Sequence, residues 1–454
     1  MAADAQAGSG LTARLVGRSL ATRWDDLPPD VRRVARDCLA DWLACTLAGL
    51  AEPASEIVVA QALDEGGHPQ ASFIGRAARG SLLQAALVNG TASHALDYDD
   101  VNLSVPGHLS VAILPAVLAL AEHLDADVRS LLAAFVAGYE FACRVGCLVE
   151  PAHYANGFHA TATIGGLGSA VACSHLLGLD LPQACEAVGL AATQAAGMKA
   201  MFGTMTKPLH AGLAAQGGLR AALLARRGLS SRADVLECHQ GFAALHGRDF
   251  HVEPAQAAPA GGFHILANLF KFHAACYSTH STIEAVARLR CATALPLPLP
   301  QPEVIHVTVG EGSSICNIAS PTTALEAKFS LRAAAAFAWL GIDTSSLHTW
   351  GRVTDPEVVG VRDRVEVELV PGMGLSEAVV RIRMPDGQDV QCEHDCGVPP
   401  ADKAEQSARV DAKFLALVGD VLGPPAAHAM LAELDREGPR RDVSALVGQC
   451  AHGA

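Results

Sequence analysis

A chain of 454 residues with 50% hydrophobic and 18% charged side chains can form roughly two to four domains with a large core. That excludes a zinc- or disulfide-stapled miniprotein and a disordered chain. Its 33 basic against 47 acidic residues give a formal net charge of -14, which works against generic binding to nucleic acid or to an anionic membrane surface. Aromatics are only 5%, so Ala, Leu and Val must fill the interior, which favours helices packed closely through small residues.

In chain order, apolar residues at helical spacing predict helices over Asp30 to Leu50, Ser81 to His94, Ala112 to His123, Arg129 to Val149, Ala160 to Leu177 and Leu181 to Ala196. Pro29 and Pro182 fit first-turn positions. Several of these helices are apolar on most of their circumference, as interior helices are. Near residue 300 the pattern changes. Pro296, Pro298, Pro300 and Pro302 punctuate a linker, and Val304 to Val309 reads as a strand, followed by Arg362 to Val370, Ala378 to Met384 and Asp389 to Glu393. Pro385-Asp386-Gly387 is a hairpin turn between the last two. Helices are expected around His280 to Leu289 and over Thr323 to Leu340, and again over Lys403 to Val421 and Pro425 to Glu437 after Pro399-Pro400. The fold class is therefore mainly α, with a smaller α+β region. The chain ends in 1–266 and 397–454 form one helical domain, and 267–396 form the second.

Thirteen cysteines include no C-x-x-C pair, which predicts free thiols and a reducing cytoplasmic setting. The first residues, with Asp4 and no apolar run, do not read as a secretory signal, and the uncharged stretch Pro151 to Leu179, with three histidines, reads as buried helix. Ile164-Gly165-Gly166-Leu167-Gly168-Ser169 follows no strand and lacks dinucleotide-loop spacing, so helix packing is its expected role.

The chemistry is expected where an ionisable residue stands in an uncharged window, because burial of such a group is costly unless it is paired. His108 is alone between Asp100 and Glu122, and His153, His159 and His175 lie between Glu150 and Asp180. Lys207 precedes His210 by three residues in a window whose other cation is Lys199. Lys271 is the sole formal charge between Glu253 and Glu284, followed by His273, Cys276 and His280. Taken singly, His94, His175 and His264 are core histidines, Lys199 snorkels to solvent, Cys276 is a small core residue, and Asp97, Asp99 and Asp100 are caps or a turn. Lys207 stands apart, because Thr206 and Pro208 set it at a helix start and the chain has only six lysines. Together the windows describe a pocket of lysines, histidines and at least one carboxylate, suited to removing a proton next to a carboxylate or carbonyl.

Four ordered motifs, His94-Ala95-Leu96-Asp97-Tyr98-Asp99-Asp100 with Gly107-His108, Gly157-Phe158-His159, Thr206 to Gly212, and Lys271 through Cys276 to His280, make roughly residues 11 to 440 similar to the MmgE/PrpD family. That family includes 2-methylcitrate dehydratase, cis-aconitate decarboxylase and iminodisuccinate epimerase. The resemblance implies a large helical domain built from both chain ends, a smaller α+β lid, a homodimer, no cofactor and a metal-free site. It implies that Asp97, His108, His159, Lys207 and Lys271 are active-site residues. The departures are Val101 where the decarboxylase has a threonine and Cys276 where it has a histidine. From residues and resemblance together we expect a lyase acting on a small di- or tricarboxylate by α-proton abstraction. Lys207 and Lys271 hold carboxylates and stabilise an enolate, His108 and His159 move protons, Asp97 orients a histidine, and His210 and His280 contact substrate. An epimerase of an imino- or amino-dicarboxylate, with Cys276 as a second base, is the alternative, and a non-catalytic scaffold is the third.

Overall fold

The computed structural model describes residues 10–248, 250–292, 301–435 and 442–450. The chain divides into two compact units, Met1–Phe270 with Pro400–Ala454, and Lys271–Pro399. Pro296, Pro298 and Pro300 of the expected linker, and Glu437 at the end of the last expected helix, lie outside the described residues.

The first unit is helical because its sequence supplies both apolar circumference and explicit starts. Pro29 occupies the first turn of Pro29–Ala48. Ser81 closes a capping box, its Oγ accepting from Gln84 N while Gln84 Oε1 accepts from Ser81 N, ahead of Leu82–His94. Asp127 and Asp180 cap Val128–Val149 and Leu181–Ala192. Ala160–Leu176 lies at the centre, packed against Ser110–His123, Val128–Val149 and Thr206–Arg226. The glycine run Gly165, Gly166 and Gly168 sits inside this helix, as helix packing requires. A Cβ on Gly168 would lie 2.9 Å from Ala142 Cβ, and one on Gly90 would lie 2.7 Å from Gly212 Cα where Leu82–His94 meets Thr206–Arg226. Such approaches exclude any side chain. Val128–Val149 is long and apolar enough to cross a membrane, but 94% of that stretch is covered by the surrounding protein.

Lys403–Leu422 packs along Pro29–Ala48, so the chain's two ends meet in this unit. Two short strands, Ala71–Ser72 and Arg79–Gly80, pair antiparallel within it, so the unit is not wholly helical. The helix expected to reach Ala196 stops at Ala192.

In the second unit the strand order is Val365–Val370, Val304–Gly310, Glu377–Arg383, Asp389–Asp395. The first pair is parallel, with Ile305 opposite Val365, and the other two are antiparallel. Alternation puts Ile305, Val307 and Val309 on a buried face; His280–Ala292 packs against Glu377–Arg383 and Asp389–Asp395, and Leu331–Leu340 against Val365–Val370. The hairpin at Pro385-Asp386-Gly387 forms as expected: Gly387 adopts φ 87° and donates its N–H to Met384 O. Two expectations need correction. Thr323 to Leu340 is two helices, Ala324–Ala327 and Leu331–Leu340, because Ser330 caps the second one with its own side chain. Arg362 ends the helix Pro356–Arg362, and the strand begins at Val365.

Candidate active site

Three helices of the first unit begin at one place. Ser110–His123 starts two residues after His108, Ala160–Leu176 starts directly after His159, and Lys207 is the second residue of Thr206–Arg226. Each start presents the positive end of a helix dipole. The starts are tied together: His108 N donates to Thr161 Oγ1 at 2.9 Å, and His159 and His210 share a proton between Nδ1 atoms 3.0 Å apart. The C-terminal end of a fourth helix, Leu82–His94, delivers His94 to the same place, where its ring stacks on His159 at 6.0 Å and tilts against His108 at 4.6 Å.

After His94 the chain turns through Asp97, whose φ of 51° is rare for a residue with a side chain. The turn is held from behind. Lys413 Nζ donates to Tyr98 O and to Asp41 Oδ1, both at 2.6 Å. Asp100 Oδ2 accepts from Ser110 Oγ at 2.6 Å and from Asn268 Nδ2 at 2.8 Å. Val101 exchanges backbone hydrogen bonds with Leu269. Held this way, Asp97 Oδ1 accepts from Lys207 Nζ at 2.7 Å and lies 3.6 Å from His108 Nε2. Asp99 Oδ2 lies 2.7 Å from His108 Nδ1, and both Asp99 oxygens lie within 3.0 Å of His94 Nδ1.

The electrostatics follow from this geometry. Burial alone would raise the Asp99 carboxyl, but the His108 and His94 imidazoles hold it well below the usual carboxylate range. Burial lowers His94 to about 4, with Lys207 and His108 adding to the effect against the pull of Asp99. Burial, His94 and Lys207 push His159 well below its ordinary value, and burial and His94 lower His210. His94, His159 and His210 are therefore neutral at pH 7. Phe202 sets its ring edge on His159 at 5.0 Å and lies 5.3 Å from Lys207 Nζ, giving the polar cluster an apolar side.

The structure thus brings five residues singled out in the sequence, Asp97, His108, His159, Lys207 and His210, into one cluster. Lys271, Cys276 and His280 belong to the second unit. There Lys271 is buried, Cys276 is half-buried, and the His280 ring packs edge-on against His273, its Nε2 3.3 Å from Ala275 O. Among the residues read as structural, His175 Nε2 meets Thr22 O at 2.8 Å, and Lys199 Nζ lies 3.4 Å over the Tyr154 ring. All thirteen cysteines are free; Cys291 is exposed, so not every thiol is a core residue. The sequence reading missed two members of the cluster. His94 was assigned to the core and Asp99 to a cap or turn, whereas both contact His108. Their signal was the H-x-x-D-x-D spacing itself, which folds both carboxylates back past the helix end.

His94, Asp97, Asp99 and His108 can bring one ligand atom each within 4.8 Å of one another, a grouping that could hold a metal ion. The Lys207 ammonium is already the cation on Asp97. The His94 Nδ1 distances to Asp99, 2.9 and 3.0 Å, are those of a shared proton.

Buried neutral histidines make stability depend on pH. His94, His153 and His264 are each lowered to about 4, first by burial. Unfolding restores each to about 6.5, so the unfolded chain binds more protons, and their contribution is lost as pH falls from about 6.5 to about 4. The slope is roughly 1.4 kcal/mol per pH unit per histidine. Asp37, raised to about 6, and Asp100, raised to about 7, both mainly by burial, act in the opposite sense: their contribution is present below about 4 and is lost as pH rises through those values. Three histidines outweigh two carboxylates. The melting temperature by scanning calorimetry is expected to fall between pH 6.5 and pH 4.5, and a flat or rising curve would refute the neutral-histidine assignment.

The sequence matches the MmgE/PrpD N-terminal domain over residues 15–255 and the MmgE/PrpD C-terminal domain over residues 273–436. The chain belongs to the MmgE/PrpD family. Among curated relatives it is 30% identical over 302 residues to a cis-aconitate decarboxylase of Aspergillus terreus (strain NIH 2624 / FGSC A1156), covering 63% of this chain and 62% of that protein. It is 32% identical over 320 residues to the Homo sapiens cis-aconitate decarboxylase, covering 67% and 66%, and 38% identical over 167 residues to the Mus musculus one, covering 36% and 34%. The match thus spans somewhat less than two thirds of the Aspergillus terreus relative's length.

Proposed function

We propose that the protein is a lyase acting on a small di- or tricarboxylate: either an acidic α-proton is removed and the enediolate pair expels water, or carbon dioxide leaves first and the enolate-type carbanion so formed takes up a proton. The observation behind this reading is the meeting of three helix starts at one lysine, one half-buried carboxylate and a group of imidazoles. Helix N-termini and a lysine bind and polarise a carboxylate, and hold the negative charge that grows on its oxygens when the neighbouring C–H bond breaks. Relatives whose names give decarboxylation of cis-aconitate support the substrate class.

The residues divide the work. His108 is the base: its Nε2 faces the Asp97–Lys207 side, and the Asp99 carboxylate at its Nδ1 stabilises the imidazolium formed when it takes the proton. His159 is too strongly depressed to be an effective base and serves better as a neutral hydrogen-bond donor to the enolate oxygen. Lys207 carries the substrate carboxylate, and Asp97 holds its ammonium in place. The protein is proposed to work as a homodimer, and light scattering is expected to give the mass of two chains.

Proton NMR in D2O with 2-methylcitrate, cis-aconitate, citrate and iminodisuccinate tests the reading. Deuterium at the α-position with new alkene signals, or with carbon dioxide release, supports a lyase. Deuterium exchange with unchanged mass connectivity and altered optical rotation transfers the assignment to an epimerase. Binding without exchange on all four acids would refute the α-proton reading in favour of a scaffold.

A further inference from the structure

Asp99 serves two imidazoles at once. Its side chain is 1% exposed, and the two rings facing it are His94, fully buried, and His108, 10% exposed. His94 Nδ1 stands 2.9 and 3.0 Å from the two oxygens, so one N–H bisects the carboxylate and fixes its plane. His108 Nδ1 stands 2.7 Å from Oδ2, an approach that a small ring rotation turns into a hydrogen bond. The far nitrogen of His94, Nε2, is buried and has no hydrogen-bond partner among the described residues, so the ring makes its polar contact on the Asp99 side alone. His94 is wholly enclosed, whereas Asp97 is 32% and Lys207 14% exposed. It therefore stands behind the groups that meet a substrate.

We propose that His94 is a positioning residue: by donating Nδ1–H to both oxygens of Asp99 it holds the carboxylate where His108 needs it once His108 has taken the substrate proton. The proposal rests on the reading of His108 as the base. In the step it describes, the His108 Nε2 lone pair takes the α-proton, and the C–H electron pair moves into the enediolate held by Lys207. His108 becomes an imidazolium whose Nδ1–H points at Asp99, which stays ionised. His94 stays neutral throughout, so it orients the carboxylate without cancelling its charge. A cationic His94 would neutralise Asp99 and weaken the base it supports. The other charged or titratable groups facing this trio are Asp97, Lys207, His159 and His210 on the open side, with Asp41, Cys45, Asp100 and Lys413 behind the turn.

The test does not require turnover. Full-length protein labelled with 15N-histidine is titrated by NMR as wild type, His94→Asn and His94→Ala. An asparagine amide reaches the place of Nδ1 and can donate to Asp99; alanine cannot. With the donor gone the buried carboxylate turns away or takes a proton itself, so the His108 midpoint is expected to fall by about one pH unit in His94→Ala, a tenfold change in its proton affinity. His94→Asn should stay close to wild type. If His94→Ala does not fold, His94→Gln, whose amide overreaches Nδ1, replaces it. For substrate deuterium exchange, kcat should fall roughly ten- to a hundredfold in the alanine variant, with KM within about twofold, and return with asparagine. An unchanged His108 midpoint in the variant without the donor overturns the proposal, as does a stoichiometric metal ion co-purifying with the wild type. A shifted midpoint in a protein that exchanges none of the acids keeps the His94 assignment and refutes only the reaction.

Discussion

Replacing Lys207 with alanine is expected to lower kcat/KM for α-proton exchange by at least about a thousandfold, roughly 4 kcal/mol of transition-state stabilisation, and to change the melting temperature little. One preorganised donor at a developing oxyanion accounts for about a hundred- to a thousandfold alone. Lys207 has two functions in the proposed mechanism, where it carries the substrate carboxylate while pairing with Asp97 at 2.7 Å. Folding should tolerate the change, since the Asp97 side chain is 32% exposed and water can solvate the carboxylate left behind. Lys207→Arg keeps the charge but spreads it over a planar fork that the Asp97 carboxylate and Phe202 ring were not built around, so only partial recovery is expected. Activity within tenfold of wild type for Lys207→Ala would remove the residue from the mechanism.

Periodicity made most of the helices legible, because an Ala- and Gly-rich chain with uncharged windows can satisfy itself in few other ways. The strands at Val304 and Glu377 were legible for a similar reason, β-branched residues bounded by turns. What the sequence could not reveal was local hydrogen-bond competition. Ser330 caps a helix that periodicity ran straight through, and the segment after Ala192 leaves the helix to form the turns that lead to Lys207. The site shows the same division. Stranded charge marked Lys207 and His108, since an ionisable residue without nearby counter-charges in sequence must find them in space. His94 and Asp99 were obscured by proximity: five residues apart, each looked locally satisfied, as a helix end and a turn. Only the positive φ at Asp97 folds the chain so that Asp99 returns to the His94 ring and meets His108 on its other side. Lys413 was legible only as one residue of the helix expected over Lys403 to Val421, and its role depends on a contact 315 residues away in sequence.

That contact sets the second large effect. Lys413→Met is expected to destabilise the protein by roughly 3 to 5 kcal/mol, read as a fall in melting temperature or denaturation midpoint. The Lys413 side chain is 3% exposed, and its ammonium donates to Asp41 Oδ1 and to Tyr98 O and lies 3.9 Å over the Tyr98 ring. Burial favours its neutral form, but the Asp41 carboxylate overcomes this and holds it protonated above the ordinary lysine range. Removing the lysine leaves Asp41 as a buried carboxylate without its counter-ion, and most of the cost comes from that orphaned charge. The double variant Asp41→Leu/Lys413→Met removes both charges and should recover most of the lost stability. It should not recover the function equally, because the Tyr98 carbonyl loses the Lys413 donor and the strained turn at Asp97 keeps only its anchors at Asp100 and Val101. The double variant is therefore expected to melt near wild type yet exchange substrate protons more slowly, with kcat reduced more than KM is raised. A single variant that loses less than about 1 kcal/mol would mean that water reaches Asp41. A double variant with full activity would mean that the turn holds its shape without Lys413, and that the buried pair serves stability alone.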